Sequence, residues 1–511
     1  MKTRAYGALA GITAAAAALG VAELVAVLTG PQTSPLVAVG GVVVDSVPAS
    51  VKDFAVSVFY TYDKLALMIG TLVLLALFAI GFGILSLRNV AYGVVGVGVF
   101  GLIGLVAALT RPNAGPTAAF PSLVGAAAGA LVLVGLLNTT RIAQPDTEAP
   151  DTEVPDTPPR RRFLQLAGGT LAGAVVVGLA SRWFSTRRDV SADRASVTLP
   201  TAVDSASALP EEVNLGVAGL SPFVTSNDKF YRIDTALVVP QVAPATWTLK
   251  IHGRVRNPLT LTYAELLKRP MIERYVTLAC VSNEVGGNLI SNARFLGVPI
   301  KSLLDEVDPD DGADQVVSRS VDGFTAGTPT AALRDGRDAM LAIGMNGEPL
   351  PIDHGFPVRM VVPGLYGYVS ATKWLAELEL TSFADFDAYW IRRGWAQQAP
   401  IKTQSRIDTP GDGDTVNAGR VAIAGVAWAQ HRGISKVEVR VDGGEWQVAR
   451  LAAVPSIDTW RQWSLAWDAT PGKHRITVRA TDNGGATQPE EPSPPDPDGA
   501  TGWHTLAVTV R

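Results

Sequence analysis

Long uncharged apolar runs fill the first part of the chain, and short stretches that alternate apolar with polar residues fill its second half. Residues 65–87 (LALMIGTLVLLALFAIGFGILSL), 89–110 and 112–140 carry no charge. Each is long enough to cross ~30 Å of hydrocarbon, which takes about 20 helical residues. A weaker run, 5–29, carries Glu23. Residues 31–63 are apolar only in short pieces broken by Gly, Pro and Asp45, and read as an extracytoplasmic loop or an interfacial segment. The pattern predicts a membrane domain over 1–140 with about four transmembrane helices. Lys2, Arg4 and Arg88 then fall on the cytoplasmic side, as positive charge should, and Arg111 falls outside.

After the fourth run comes AQPDTEAPDTEVPDTPP, residues 143–159, with three Pro-Asp-Thr repeats and no base. Proline and like charge keep such a stretch extended. The linker 141–162 ends in Arg160-Arg161-Arg162, followed by an apolar, glycine-rich run from Phe163 to Ala180. Three arginines before an apolar run satisfy the positive-inside rule on their own. RRRFLQ also resembles the twin-arginine motif, which directs proteins that fold before export. No A-x-A cleavage site follows, so 163–184 is expected to stay as a fifth span or signal anchor. Both readings place the rest of the chain outside the cytoplasm. Residues 185–214 are polar and read as a tether.

From about 215 the pattern changes. WTLKIHGRVRNPLTLTYAELL alternates through Trp247, Leu249 and Ile251, and Thr262 suits the N-cap of a short helix. RYVTLACVSN reads as a buried strand running into a loop at Cys280. Strands and short helices mix irregularly over 215–397, which predicts an α+β domain. Over 398–511 the pattern is all strand. Val437, Val439 and Val441 share a face, and Asp442-Gly443-Gly444 makes a hairpin turn. This predicts an immunoglobulin-like β-sandwich without its usual disulfide.

Composition narrows the chemistry. The 511 residues have a net charge of −4, so no basic excess points to nucleic acid. A single cysteine, Cys280, rules out an intrachain disulfide, a cysteine-rich zinc site and an iron–sulfur cluster held by this chain alone. The five histidines, His252, His354, His431, His474 and His504, all lie beyond residue 185. The apolar runs therefore offer no axial pair for a buried haem.

One stretch carries a resemblance. AMLAIGMNGEPLPIDHGFPVRMVVPGLYGYVSATKWL, residues 339–375, resembles the sulfite oxidase family of molybdopterin enzymes in Met345-Asn346-Gly347, Pro349-Leu350, His354-Gly355-Phe356-Pro357, Arg359, Pro363-Gly364 and Lys373-Trp374. Cys280, after TLA, stands where the family's molybdenum-binding cysteine stands, and NARFLGVPIKSLL from Asn292 matches a further segment. The resemblance covers about residues 215–511. It implies Mo-molybdopterin as cofactor, with Cys280 as the metal thiolate, a soft ligand suited to molybdenum. It also implies cofactor contacts from Asn227, Phe230, Tyr231, His354, Arg359, Ser370 and Lys373, and a dimerisation role for the C-terminal sandwich.

The departures bear on the substrate. Val281-Ser282-Asn283-Glu284 replaces the family's Gly-Asn-Arg after the cysteine, and Tyr368-Val369-Ser370-Ala371-Thr372 stands where animal and plant enzymes have an Arg-His pair. Cations for a sulfite dianion are thinner, and LYGYVS looks closer to the bacterial branch that reduces sulfoxides. Arg232 is expected as an anion contact, and Tyr366 and Tyr368 as proton donors. The expected protein is thus a multi-pass, extracytoplasmic oxidoreductase acting on a small oxyanion or sulfoxide, with membrane lipid and a separate electron-transfer protein as partners. The rival readings are a catalytically degenerate binding module on a membrane stalk, and a transporter whose spans show no ion path.

Overall fold

The computed structural model describes residues 2–47, 63–111, 114–141, 159–186 and 189–511, and divides into two compact units. The first holds the N-terminal helices together with the short segment Ala236–Val239. Its helices are α1 (Lys2–Thr29), α2 (Pro35–Ser46), α3 (Asp63–Ser86), α4 (Val90–Leu109), α5 (Phe120–Arg141) and α6 (Pro159–Thr186). By length and composition alone, four stretches, in α1, α3, α4 and Pro116–Thr139 (which covers most of α5), could cross a membrane. Small residues set their packing. A Cβ on Gly11 of α1 would sit 2.0 Å from the Ala79 carbonyl oxygen of α3, so the two backbones meet directly.

Part of the stretch 31–63, expected as a loop or an interfacial segment, is a helix. Ser34 caps α2 by accepting from the Val37 amide, and Pro35 fits the first turn, where no amide is needed. At 12 residues α2 is too short to cross a bilayer. Its Asp45 forms an ion pair with Arg111, just past the end of α4. Residues 48–62 and the acidic linker over 142–158 lie outside the described residues.

The second unit comprises Val190–Thr235 and Pro240–Arg511. It begins with α7 (Ser191–Ser196) and continues through β1 (Thr248–Gly253), β2 (Leu259–Thr262), α8 (Tyr263–Leu267), β3 (Ile272–Ala279), β4 (Ile290–Pro299) and α9 (Ile300–Val307). Then come β5 (Gln315–Ser320), β6 (Thr325–Pro329), β7 (Met340–Met345), β8 (Glu348–Pro349), β9 (Arg359–Val361) and β10 (Leu375–Thr381). One sheet runs β2-β1-β10-β5-β6; the other runs β3-β4-β7-β8, with β9 also on β7. Thr262 caps α8 in a capping box with Glu265.

Residues 190–214 do not form a tether. Arg194 donates to the Leu350 carbonyl at 2.9 Å and pairs with Glu348 at 3.0 Å, Val213 is buried, and Asp204 bridges Arg274. Their polar composition serves a surface layer on the domain.

The C-terminal fifth of the chain is a sandwich of β11 (Gln404–Thr409), β12 (Thr415–Val416), β13 (Gly419–Trp428), β14 (Ile434–Val441), β15 (Gln447–Val448), β16 (Arg450–Leu451), β17 (Arg461–Ala469), β18 (Gly472–Asp482) and β19 (His504–Val510). The sheets run β11-β13-β17-β16 and β12-β19-β18-β14-β15. Trp463, Val437, Val439, Ile476 and Val478 are fully buried between them. Apolar filling thus replaces a disulfide, since Cys280 lies in the other domain.

Candidate functional site

A cleft in the α+β domain gathers residues from far-apart segments: Phe230 and Tyr231, Cys280, His354, Arg359, and Lys373. Cys280 enters because β3 ends at Ala279 and the chain turns away there, leaving the thiol at a strand end. Burial pushes the thiol's pKa up, while hydrogen bonds from Ser282 and the Val281 amide pull the other way. Without a cation the group stays a thiol.

The His354-Gly355-Phe356-Pro357 motif forms a tight corner. A short helical turn ends at His354, and Gly355 takes a left-handed conformation (φ 108°). A Cβ there would lie 3.0 Å from the Arg359 Cβ and 3.1 Å from Lys373. Glycine therefore lets the corner lie flat on the strand that carries Arg359. The His354 Nε2 donates to the Asn227 carbonyl at 3.2 Å, which leaves Nδ1 as an acceptor. Burial, helped by Arg359, lowers its pKa to about 4, so the ring is neutral at pH 7.

Arg359 is 5% exposed. It donates to the His354 carbonyl at 3.2 Å and the Ala371 carbonyl at 3.5 Å, and its Nε has no partner among the described residues. Burial lowers its pKa to about 10, so it remains a cation. A buried charge without a counterion costs several kcal/mol. Lys373 is also buried, held by Asp234 at 2.9 Å and the Asp353 carbonyl at 3.1 Å, and burial lowers its pKa to about 8. A thiol, a neutral imidazole and two buried cations, one with an unpartnered Nε, suit a thiolate-bound metal whose organic ligand carries a phosphate. The donor set fits molybdopterin.

Other expected residues stand elsewhere. Asn227 faces Asn346, whose amide donates to its side-chain oxygen at 2.8 Å, and it reaches the site only through its backbone carbonyl. Ser370 is fully buried and donates to the Leu365 and Tyr366 carbonyls at 3.0 and 2.9 Å, away from the cleft. Tyr366 packs against Gly499 and does not line the cleft. Tyr368 does line it, but its hydroxyl donates to the Ala396 carbonyl at 2.6 Å, so that proton is engaged. Arg232 is partly exposed and paired with Asp234 at 2.9 Å, outside the lining. Tyr231 lines the cleft together with Cys280, and desolvation raises its pKa.

Sequence reading missed Asp234, which anchors Lys373, and the aromatic wall of Phe324, Trp390 and Trp395. The wall had a signal in the aromatic-rich DAYWIRRGW, residues 387–395. Tyr368 and Trp395 meet in a tilted pair with ring centroids 5.8 Å apart, and Trp390 meets Trp395 edge-on at 6.1 Å.

Residues 236–390 match the oxidoreductase molybdopterin-binding domain, and residues 404–478 match a bacterial Ig domain. Human mitochondrial sulfite oxidase is 31% identical over 321 residues, covering 53% of this chain and 58% of that protein. The Gallus gallus sulfite oxidase is 30% identical over 324 residues, covering 53% of this chain and 69% of that protein. Nitrate reductase [NADH] 1 of Oryza sativa subsp. japonica is 29% identical over 319 residues, covering 50% of this chain and 34% of that protein. The crystal structure of the sulfane dehydrogenase SoxCD from Paracoccus pantotrophus superposes with a TM-score of 0.50 at 23% identity, covering 57% of this chain and 84% of that one, and supports the fold alone. The matched domain and these relatives imply Mo-molybdopterin as the cofactor. The chain belongs to the sulfite oxidase family of molybdopterin-dependent oxidoreductases.

Proposed function

We propose that this chain is a membrane-anchored oxidoreductase whose folded half lies outside the cytoplasm and transfers an oxygen atom to or from a small oxyanion or sulfoxide. The observation that carries the reading is the convergence of the Cys280 thiol and the buried Arg359, with its unpartnered Nε, in one cleft. When bound, thiolate-ligated molybdopterin supplies two-electron oxygen-atom transfer. Cys280 would give up its proton on metal binding. Arg359 and Lys373 would hold the cofactor's phosphate and polar edge, and His354 would accept a hydrogen bond at Nδ1.

The charge inventory of the cleft favours the sulfoxide. Its lining contains Arg359, Lys373 and His354, and beyond them Asp234, Asp322 and the aromatic wall. Once the cations hold the cofactor, the rest of the lining offers no further cation: it is apolar, acidic or neutral and polar, as at Thr235, Ser282 and Ser320. A neutral sulfoxide meets it at lower cost than a dianion.

The anchor would be the four apolar helices plus α6 as a signal anchor, in contact with lipid. The exported unit would be delivered folded, because its cofactor is inserted inside the cell. No histidine lies in the spans. Electrons would therefore pass to or from a separate protein, and the C-terminal sandwich would serve a homodimer. A catalytically degenerate display module is not favoured, since the thiol and both cations converge.

The test is metal content and turnover of the full chain expressed with molybdate. Wild type should hold stoichiometric molybdenum and turn over sulfoxide or sulfite with an artificial dye. Cys280→Ser should fold but lose turnover. Wild-type activity in that variant, or metal-free wild type, would sink the assignment.

A further inference from the structure

β3, which ends one residue before Cys280, is the outer strand of its sheet. Half of its backbone groups therefore face away from β4 and need other partners. Residues 203 and 204 cover the first half: the Val203 amide donates to Met271 and the Glu273 amide to Asp204, each at 2.9 Å. The second half is covered by the C-terminal sandwich. The Thr277 amide donates to the Asp458 carbonyl at 3.0 Å, and its carbonyl accepts from Gln430 Nε2 at 3.1 Å. The Thr277 hydroxyl accepts from the Trp460 amide at 2.8 Å and donates to Asn292 at 2.9 Å.

The sandwich also grips the chain on the far side of Cys280. The Cys280 amide donates to Leu289 at 2.9 Å, which closes the loop between them. Arg406 donates to the Gly287 carbonyl of that loop at 2.9 Å and is itself fixed by Asp408 at 2.6 Å and Ser221 at 3.0 Å. Gly286 (φ +78°) lies so close to His504 that a Cβ would meet its ring at 2.3 Å.

We propose that the C-terminal sandwich is a clamp that fixes the Cys280 thiol from both sides, with Thr277, Gln430 and Arg406 as positioning residues. Cys280 is one protein ligand on one bond, and its direction depends on the two short segments that the sandwich holds. The clamp rests on the proposed function only in its purpose; the hold on the thiol is independent of any metal.

The test uses the full chain. Cys280 is the sole cysteine, so iodoacetamide reports on it alone in metal-free protein from a host lacking molybdopterin. Gln430→Leu and Arg406→Gln should each alkylate about five-fold faster than wild type, the change in open population expected from losing one ordinary hydrogen bond. Arg406→Lys, which can still donate to Gly287, should restore the wild-type rate. In loaded protein the Mo(V) resonance should shift in the same two variants, at unchanged molybdenum content. Should Gln430→Leu fail to fold, Arg406→Gln decides. Folded Arg406→Gln that alkylates at the wild-type rate, whatever its melting temperature, overturns the clamp. Absence of molybdenum from wild type would remove the metal reading and leave the alkylation result standing.

Discussion

Arg359 is held where water cannot screen it, and its energetics separate a binding role from a structural one. Burial of an unpaired cation destabilises the protein that carries it. Arg359→Met keeps most of the volume and removes the charge. The metal-free variant should melt at or above the wild-type temperature, while its cofactor content falls at least about ten-fold, as loss of a charge-assisted contact predicts. A lower melting temperature with full cofactor content would make the residue structural. His354 gives a pH signature. Its pKa is about 4 in the fold, and about 6.5 in the unfolded chain. The folded pKa is depressed, so the unfolded chain binds more protons between these values. The contribution is complete above pH 6.5 and is lost as pH falls through 4, up to about 3 kcal/mol. His354→Gln should flatten the dependence of melting temperature on pH in that window; an unchanged slope would remove the assignment. Motif spacing made Cys280, His354, Arg359 and Lys373 legible. It could not show that the Tyr368 hydroxyl is engaged by Ala396, 28 positions away, or that Ser370 turns back on its own loop. Those outcomes depend on hydrogen-bond direction, which residue type does not encode.

At the scale of elements, local chemistry was legible wherever it was self-sufficient. Thr262 and Glu265 cap each other across three residues, and the turn at Asp442-Gly443-Gly444 joins β14 to β15. One reading failed where the deciding partner was remote. Residues 190–214 look like a tether by composition, yet Arg194 finds carbonyls at 349 and 350, and Asp204 finds Arg274. Residues 35–46, read as a loop or an interfacial segment, form a short helix that starts at Pro35, with Asp45 matched by Arg111. Gly355 is the element-scale residue on which the site depends. Gly355→Ala places a Cβ 3.0 Å from that of Arg359 at a left-handed φ, and should cost ~1–3 kcal/mol. Because the strain pushes on Arg359 and Lys373, cofactor content should fall with stability. Normal melting and normal cofactor content together would show that the corner tolerates a side chain.

At the scale of the whole molecule, the arrangement of the chain poses one question: why three arginines open α6. Positive charge alone would orient the helix. A twin-arginine signal makes a further demand, that the guanidinium pair itself be read by an export machinery that accepts folded cargo. The second unit gives that demand a reason. Its cleft draws on segments near 230, 280, 354–373 and 390–395, so a cofactor seated there requires the domain to be folded first. The sandwich adds to this, because it contributes the partners of Thr277 beside Cys280. Threading such a unit unfolded would separate every one of these groups. Replacing Arg160 and Arg161 by lysine keeps the charge and removes the guanidinium groups. The exported half should then remain inside, folded and loaded, and resist protease added to intact cells, while in wild type it is cleaved. If the double-lysine protein is as accessible as wild type, the arginines act only as a cytoplasmic flank, and the cofactor must reach a domain that folded after crossing.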